Sequence, residues 1–354
     1  MASFDYDRLD DLHDDYVDAI EQFETDKLRT VKQNTVETYL NRVTKFAEFL
    51  RDHYDGHVAL SEIDEDEHCF PFKHWCDEEL AKTQMRSTII TCRDLYKILE
   101  RHDRFNLDPS EWALVVDSLP SSNECRDRTQ SSDDVTPRDV GTALLQVRHP
   151  VYHAYFMLFF KLLVRIGEVA NIKLKHVNLQ DPDFQRIYRD LGVSIHEDIR
   201  HKPDTILIKG GDVPGTKRDI DTILPVDAET KTALLRALAV RPTTPASLQE
   251  GERYFFTQHS ANYGLQMTTS GVDYAFRKYF VEPNEHIPAA MTPHDGRHWG
   301  GRQFRAAPDH NEVLYAYLRG DNDGDIRDHY DNLLADYENR VRSRYHKYMP
   351  SLFF

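Results

Sequence analysis

Tyr152-His153-Ala154-Tyr155-Phe156-Met157-Leu158-Phe159-Phe160-Lys161-Leu162-Leu163-Val164 runs directly into Arg165-Ile166-Gly167-Glu168. The first stretch is apolar on all sides, which predicts a helix buried at the centre of a domain rather than one lying half-exposed on its surface. Upstream, Thr136-Pro137 restarts a helical pattern with proline in the first turn. Downstream, Thr205 to Lys209 and Thr222 to Val226 are short β-type runs around Gly210-Gly211-Asp212-Val213-Pro214-Gly215-Thr216-Lys217-Arg218-Asp219, which reads as a long hairpin. Helical patterns return over Thr230 to Val240, Val272 to Tyr279 and Asn311 to Tyr317. Helices, a small sheet and helices again, without βαβ alternation or internal repeat, predict a mainly α domain with a small antiparallel β-sheet.

Before this domain the chain reads as helical to about residue 118. Val36, Tyr39, Leu40, Val43, Phe46, Phe49 and Leu50 recur at spacings of three and four, one amphipathic helix expected to be capped by Asn34 or Thr35. A second run, Thr88 to Leu99, follows Trp75 and the polar stretch Ala81 to Ser87. Residues 119–136 contain Pro120 to Asp134, polar and rich in turn formers, and read as a linker. The expected organisation is a helical bundle over 1–118, the linker over 119–136 and a second domain over 137–354.

At 354 residues with 40% hydrophobic and 11% aromatic residues, the chain can bury two cores. No run of eighteen apolar residues exists, and Met1-Ala2-Ser3-Phe4-Asp5-Tyr6-Asp7 lacks the pattern of a secretory signal, so a cytoplasmic protein without a membrane partner is expected. Cys69, Cys76, Cys92 and Cys125 have no zinc-knuckle spacing and are expected to be ordinary reduced residues, with no metal site and no cofactor. The net charge of −16 argues against a generic nucleic-acid binder. Aspartate outnumbers glutamate nearly two to one and arginine outnumbers lysine similarly. That balance suits a high-salt, halophilic cytoplasm, where dense surface carboxylate keeps a protein dispersed, so the acidity is expected to report the solvent rather than the partner.

The residues that carry chemistry lie in the second domain. His294 and Arg297 stand three apart in Pro293-His294-Asp295-Gly296-Arg297-His298, and Tyr330 follows thirty-three residues after Arg297. Arginine supplies a permanent planar cation for phosphate oxygens, histidine exchanges a proton near neutral pH, and tyrosine can act as a covalent nucleophile. Glu168 reads as a buttress of the site rather than a reacting group, and His298 as either a hydrogen-bond partner of the site or a core residue.

Three separated motifs resemble those of the tyrosine recombinase (phage integrase) family. Arg165-Ile166-Gly167-Glu168-Val169-Ala170-Asn171-Ile172-Lys173-Leu174 is similar to its Arg box, and His294-Asp295-Gly296-Arg297-His298 to its His-x-x-Arg box. Leu318-Arg319-Gly320-Asp321, with Tyr330 nine residues after Asp321, resembles the segment that precedes the nucleophilic tyrosine. The resemblance covers most of the chain. It implies an N-terminal core-binding domain that clamps duplex DNA and a C-terminal α/β catalytic domain, acting as a site-specific recombinase through a 3′-phosphotyrosyl intermediate without metal or ATP. Arg165, Arg297 and His294 would then bind the scissile phosphate and Tyr330 would attack it. A hairpin lysine would protonate the leaving hydroxyl; Lys217 is preferred, with Lys209 as alternate. Asp321 stands where the family carries a histidine or tryptophan donor, so it either is protonated, or orients Arg165 or Arg297, or leaves donation to Arg319, Asn322 or His329.

The resemblance also implies protomers assembled on paired sites, as a tetramer on DNA, often exchanging C-terminal segments. The tail Tyr345 to Phe354 ends in apolar residues expected to be exposed and available for such exchange. Lys173-Leu174-Lys175-His176, read as a basic helix, and the pair Arg277-Lys278 are candidates for DNA-backbone contacts. Two alternatives remain beside recombination: a type IB topoisomerase-like nicking enzyme, and a cleavage-deficient DNA-binding protein.

Overall fold

A computed structural model describes residues 8, 12, 14–31, 33–54, 58–102, 105, 107–121, 134–211, 213, 215–244, 247, 253–259, 262–321 and 333–353. Tyr330, Asn322, His329, Cys125 and most of the stretch read as a linker lie outside these residues. The chain divides into two compact units, 1–129 and 130–354.

The first unit contains α1 (Asp14–Leu28), α2 (Gln33–His53), α3 (Phe70–Glu79), α4 (Lys82–Leu99) and α5 (Ala113–Asp117). Most of the expected stripe of α2 is its buried face: Val36, Leu40, Val43, Phe46, Phe49 and Leu50 are inside, while Tyr39 is partly exposed at its edge. Phe46 packs on Phe72 and Trp112 with ring centroids 4.9 and 5.0 Å away. Because α2 begins at Gln33, Asn34 and Thr35 lie inside its first turn and are not its caps. Likewise α4 takes in the polar residues 82–87, because Lys82, Gln84 and Arg86 are good helix formers and Met85 extends the buried face one turn before Ile89. Cys69, Cys76 and Cys92 are free and buried, and burial pushes the Cys76 thiol up to about 12, a setting for inert thiols.

The second unit is built from α6 (Pro137–Gln146), α7 (Pro150–Leu162), α8 (Ile166–Ala170), β1 (Val177–Asn178), α9 (Pro182–Asp190), α10 (Glu197–Arg200), β2 (Thr205–Ile208), β3 (Thr222–Pro225), α11 (Ala228–Ala239), α12 (Thr269–Phe276), α13 (Pro293–Arg305), α14 (Glu312–Arg319) and α15 (Ser343–Tyr348). The sheet is antiparallel in the order β1-β2-β3, with Val177 opposite Ile206 and Ile206 opposite Leu224. The hairpin strands match the sequence reading; β1, two residues long, carries no period to read. Lys173 to His176 holds a single 3-10 turn, Leu174–His176, instead of a basic α-helix.

At the centre stands α7, every side chain of which is buried from Ala154 to Leu162. It packs between α11 and α13. Closeness to α13 depends on Gly300, where a Cβ would lie 2.2 Å from the Phe160 carbonyl oxygen, and on Gly296, whose Cβ would touch the Phe160 ring at 3.3 Å. The helix stops at Leu163, which takes a left-handed conformation with φ 55°, and the chain turns there into Arg165.

Lys161, in the last turn of α7 and 2% exposed, anchors the C-terminal segment. Its ammonium pairs with Asp227 at 2.6 Å and Glu229 at 2.9 Å, and donates to the Pro350 carbonyl. Glu229 in turn accepts from the Leu352 and Phe353 backbone N–H groups and the Ser351 hydroxyl. Burial would raise Glu229, but these hydrogen bonds outweigh it and hold the carboxyl at about 2. The tail is therefore not exposed as the sequence led us to expect: Tyr345, Tyr348, Met349 and Leu352 are buried within their own unit, because a paired lysine and glutamate capture its backbone.

Replacing Gly300 with alanine should destabilise the protein by about 1–3 kcal/mol through forced separation of α13 from α7. A urea unfolding curve checks it, and a gain of up to ~1 kcal/mol, the usual result of filling an unobstructed helical glycine, would overturn the packing account.

Candidate active site

The site begins with a capping arrangement. Arg165 precedes α8 in extended conformation, and Glu168 at the third helical position accepts the Arg165 backbone N–H at 2.9 Å and its Nη1 at 2.9 Å. This return bond satisfies one of the orphan donors of a helix start while fixing the arginine. The Glu168 side chain is completely buried. A buried carboxylate persists only among cations and donors, and it has them: Arg218 Nε lies 3.3 Å from one oxygen and Arg297 Nη1 3.9 Å from the other.

Arg297 comes from α13. The α13 start is a capping box in which the Thr292 hydroxyl accepts the Asp295 N–H and Asp295 accepts the Thr292 N–H at 2.9 Å. One turn on, Arg297 is fully buried and His294 is exposed, so the two share a helix but not a degree of burial. Arg297 Nη2 donates to the Arg319 carbonyl at 2.9 Å and to Asp321 Oδ1 at 3.1 Å. Its Nε and Nη1 are buried without a hydrogen-bond acceptor. Burial and the guanidinium groups of Arg165, Arg218 and Arg319 pull Arg297 down to about 9, against the pull of Glu168; it stays protonated at neutral pH.

The third contribution is the end of α14. Gly320 takes a left-handed conformation with φ 64°, and the Asp321 N–H bonds back to the Ala316 carbonyl, so the helix closes in a Schellman turn that presents Asp321. The freed carbonyls are capped by arginines: Arg218 donates to Leu318 at 2.9 Å and Tyr317 at 3.3 Å, and Arg297 to Arg319. Cations at a helix C-terminus are also favoured by its dipole. The Tyr317 hydroxyl locks α14 to β3 by donating to the Ile223 carbonyl and accepting the Ile223 N–H. Asp321 Oδ1 lies 3.3 Å from Arg165 Nη2 and 3.1 Å from Arg297 Nη2, while Oδ2 lies 2.8 Å from Arg319 Nε.

The structure thus brings Arg165, Arg297 and Asp321 onto one point. His294 belongs to the same field, since burial and then Arg297, Arg165 and Arg319 lower its pKa, against Asp295. His298 pairs with it, Nε2 to Nε2 at 2.9 Å, and burial, His294 and the arginines lower His298 to about 4. Both shifts favour the neutral ring, and one ring donates to the other. Of the hairpin lysines, Lys209 is ion-paired with Asp221 across the base of the hairpin. Lys217 is exposed between buried Thr216 and buried Arg218.

Sequence reasoning missed Arg218. It sits in a turn that reads as solvated, and the alternation of Thr216, Lys217 and Arg218 was the single signal of an inward arginine. Four arginines (165, 218, 297, 319) against two acids (168, 321) leave a formal surplus of two positive charges in a chain of net charge −16.

No family model and no curated relative matches the chain. Solved structures do match. The integrase of the Tn1549 transposon, in complex with circular intermediate DNA, aligns with a TM-score of 0.60 at 15% identity, covering 90% of this chain and 98% of that one. A lambda integrase(75-356) dimer bound to a COC′ core site aligns with a TM-score of 0.55 at 10% identity, covering 92% and 95%. A lambda integrase tetramer bound to a Holliday junction gives 0.53 at 11% identity, covering 87% and 77%.

Arg218→Met should cost about 3–5 kcal/mol, because it strands the buried Glu168 carboxylate with one cation fewer and leaves the Leu318 carbonyl without its donor. Chemical denaturation measures this; a loss below about 1 kcal/mol, the scale of an exposed ion pair, would show that the cluster does not depend on Arg218.

The fold, mostly helical around a small three-stranded antiparallel sheet, is that of the tyrosine recombinase catalytic domains.

Proposed function

We propose that the protein is a site-specific DNA recombinase of the integrase type, cleaving and rejoining strands through a 3′-phosphotyrosyl intermediate. The observation that carries this reading is the convergence of Arg165 Nη2 and Arg297 Nη2 on a single acidic oxygen, a geometry that fits the non-bridging oxygens of a phosphodiester. The likeness to integrases solved on circular intermediate DNA, a core site and a Holliday junction supports duplex DNA as the partner and a tetramer as the working assembly.

In this reading residues 137–354 are catalytic, residues 1–118 clamp DNA, and 119–136 link the two. The Tyr330 oxygen attacks phosphorus, the bond to the 5′-oxygen breaks, and Lys217 protonates that oxygen as it leaves; the free 5′-hydroxyl of a second strand reverses the step. Arg165 and Arg297 neutralise the charge that builds on the phosphate. His294, neutral and held by His298, is a hydrogen-bond donor to the same group. No step needs a metal or a nucleotide cofactor. We assign the acidic composition to a high-salt cytoplasm, of the kind halophilic archaea maintain.

The test is covalent capture on a pool of nicked suicide duplexes with randomised core sequence. Wild type should form a protein–DNA adduct stable to denaturant, and Tyr330→Phe should abolish it. A wild-type protein that binds the duplexes but never forms the adduct is a DNA-binding protein without cleavage, a reading favoured by the acid at position 321. Relaxation of supercoils without recombined products would identify a topoisomerase-like nicking enzyme. Capture should rise or hold from low to multimolar potassium chloride; activity confined to low salt would remove the high-salt assignment.

A further inference from the structure

We propose that the Asp321 carboxylate occupies the phosphate seat of the resting protein, so that DNA enters by displacing an internal anion. The proposal rests on the reading above, in which Arg165 and Arg297 hold the scissile phosphate. Asp321 spends the terminal nitrogens that such a phosphate would use: Oδ1 sits between Arg165 Nη2 and Arg297 Nη2 at 3.3 and 3.1 Å, and Oδ2 lies 2.8 Å from Arg319 Nε. Two carboxylate oxygens spread over three guanidinium groups match the single negative charge of a phosphodiester and its two non-bridging acceptor oxygens.

The seat is fixed from behind. Arg165 is held by Glu168, and Arg297 is held by the Arg319 carbonyl, so removing Asp321 leaves both nitrogens in place and pointing at the same spot. The acid itself is the least buried member of the cluster. Its side chain is 32% exposed, against 1% for Arg297 and none for Glu168. Asp321 is thus the component that an incoming anion can reach and replace, whereas Glu168 is sealed inside. Position 321 is also delivered by a backbone turn rather than by a helix: Gly320 is left-handed, and the Asp321 N–H is bound to Ala316. The exchange therefore requires no break in α14.

A seat filled by its own acid lowers apparent affinity for an outside anion by the fraction of molecules in which the acid has left. It also sets a threshold: a lone phosphate gains only the contacts that Asp321 gives up, whereas a duplex brings further backbone contacts that tip the exchange. The resting site would be protected from free phosphate and opened by DNA.

Inorganic sulfate is the probe, titrated into full-length wild type, Asp321→Asn and Asp321→Ser at constant ionic strength and followed by thermal shift and calorimetry. Asparagine keeps an acceptor toward the arginines and serine gives a smaller neutral alternative, so two independent variants report if one is poorly folded. Both should bind sulfate at least roughly tenfold more tightly than wild type, the factor expected if the acid fills the seat nine times in ten. The gain should vanish in Asp321→Asn combined with Arg165→Gln. Equal or weaker sulfate binding by the folded variants overturns the proposal, as does a gain that survives loss of Arg165. Covalent capture is scored separately: variants that gain sulfate while wild type never forms a Tyr330 adduct leave the seat standing without the recombinase reading, and the reverse pattern leaves the recombinase standing without the plug.

Discussion

The buried Glu168 carboxylate is the interaction on which the rest of the site depends. Isolated, it would be among the costliest groups in the protein to remove from water. Surrounded by Arg165, Arg218 and Arg297 at 2.9, 3.3 and 3.9 Å, it allows three guanidinium groups to gather around one carboxylate without mutual repulsion opening the fold. It binds together three segments far apart in the chain: the start of α8, the hairpin loop through Arg218, and α13 through Arg297. Close approach of those segments needs missing side chains. A Cβ at Gly167 would lie 2.5 Å from the Gly215 carbonyl oxygen, and one at Gly320 would lie 2.6 Å from Arg218.

A second constraint sets where the cluster stands. Helix α7 ends in the left-handed Leu163, and α13 lies against it across Gly296 and Gly300. The spacing between Arg165 and Arg297 is thus fixed by close-packed core rather than by loops, the arrangement that lets donors act without reorganising when charge develops. The C-terminus of α14 completes it, since the same arginines that face Asp321 or Glu168 also cap the helix carbonyls.

Much of this was legible in the sequence. The all-round apolarity of α7 gave its burial, the β-type runs gave the hairpin, and the spacing of Arg165, His294 and Arg297 singled out residues that fold onto one region. What was not legible has physical causes. Arg218 lies in a turn, where composition predicts solvent, and its burial follows from Glu168 fifty positions earlier. The partners of Asp321 were open because Arg165 and Arg297 lie far from it in the chain, and sequence spacing does not show which arginines converge on it. The tail looked exposed because its docking depends on Lys161 and Glu229, two charged residues far from it in the chain whose pairing with its backbone no local pattern reveals. The starts of α2 and α4 were displaced because tertiary packing extends a buried stripe through polar residues whose propensity already permits helix.

The opposition between an acidic chain and a cationic site is resolved by distance. Repulsion between DNA and a surface of net charge −16 acts over the Debye length, roughly 10 Å at 0.1 M salt and about 3 Å at 1 M. The contacts inside the cluster act at hydrogen-bond range between buried and partly buried groups, where salt screens them less. Raising ionic strength therefore removes the long-range penalty faster than it weakens the short-range attraction. On the proposed reading, a surplus of positive charge held on arginines that are braced by Glu168 and Asp321 is a form of phosphate recognition that concentrated salt weakens little.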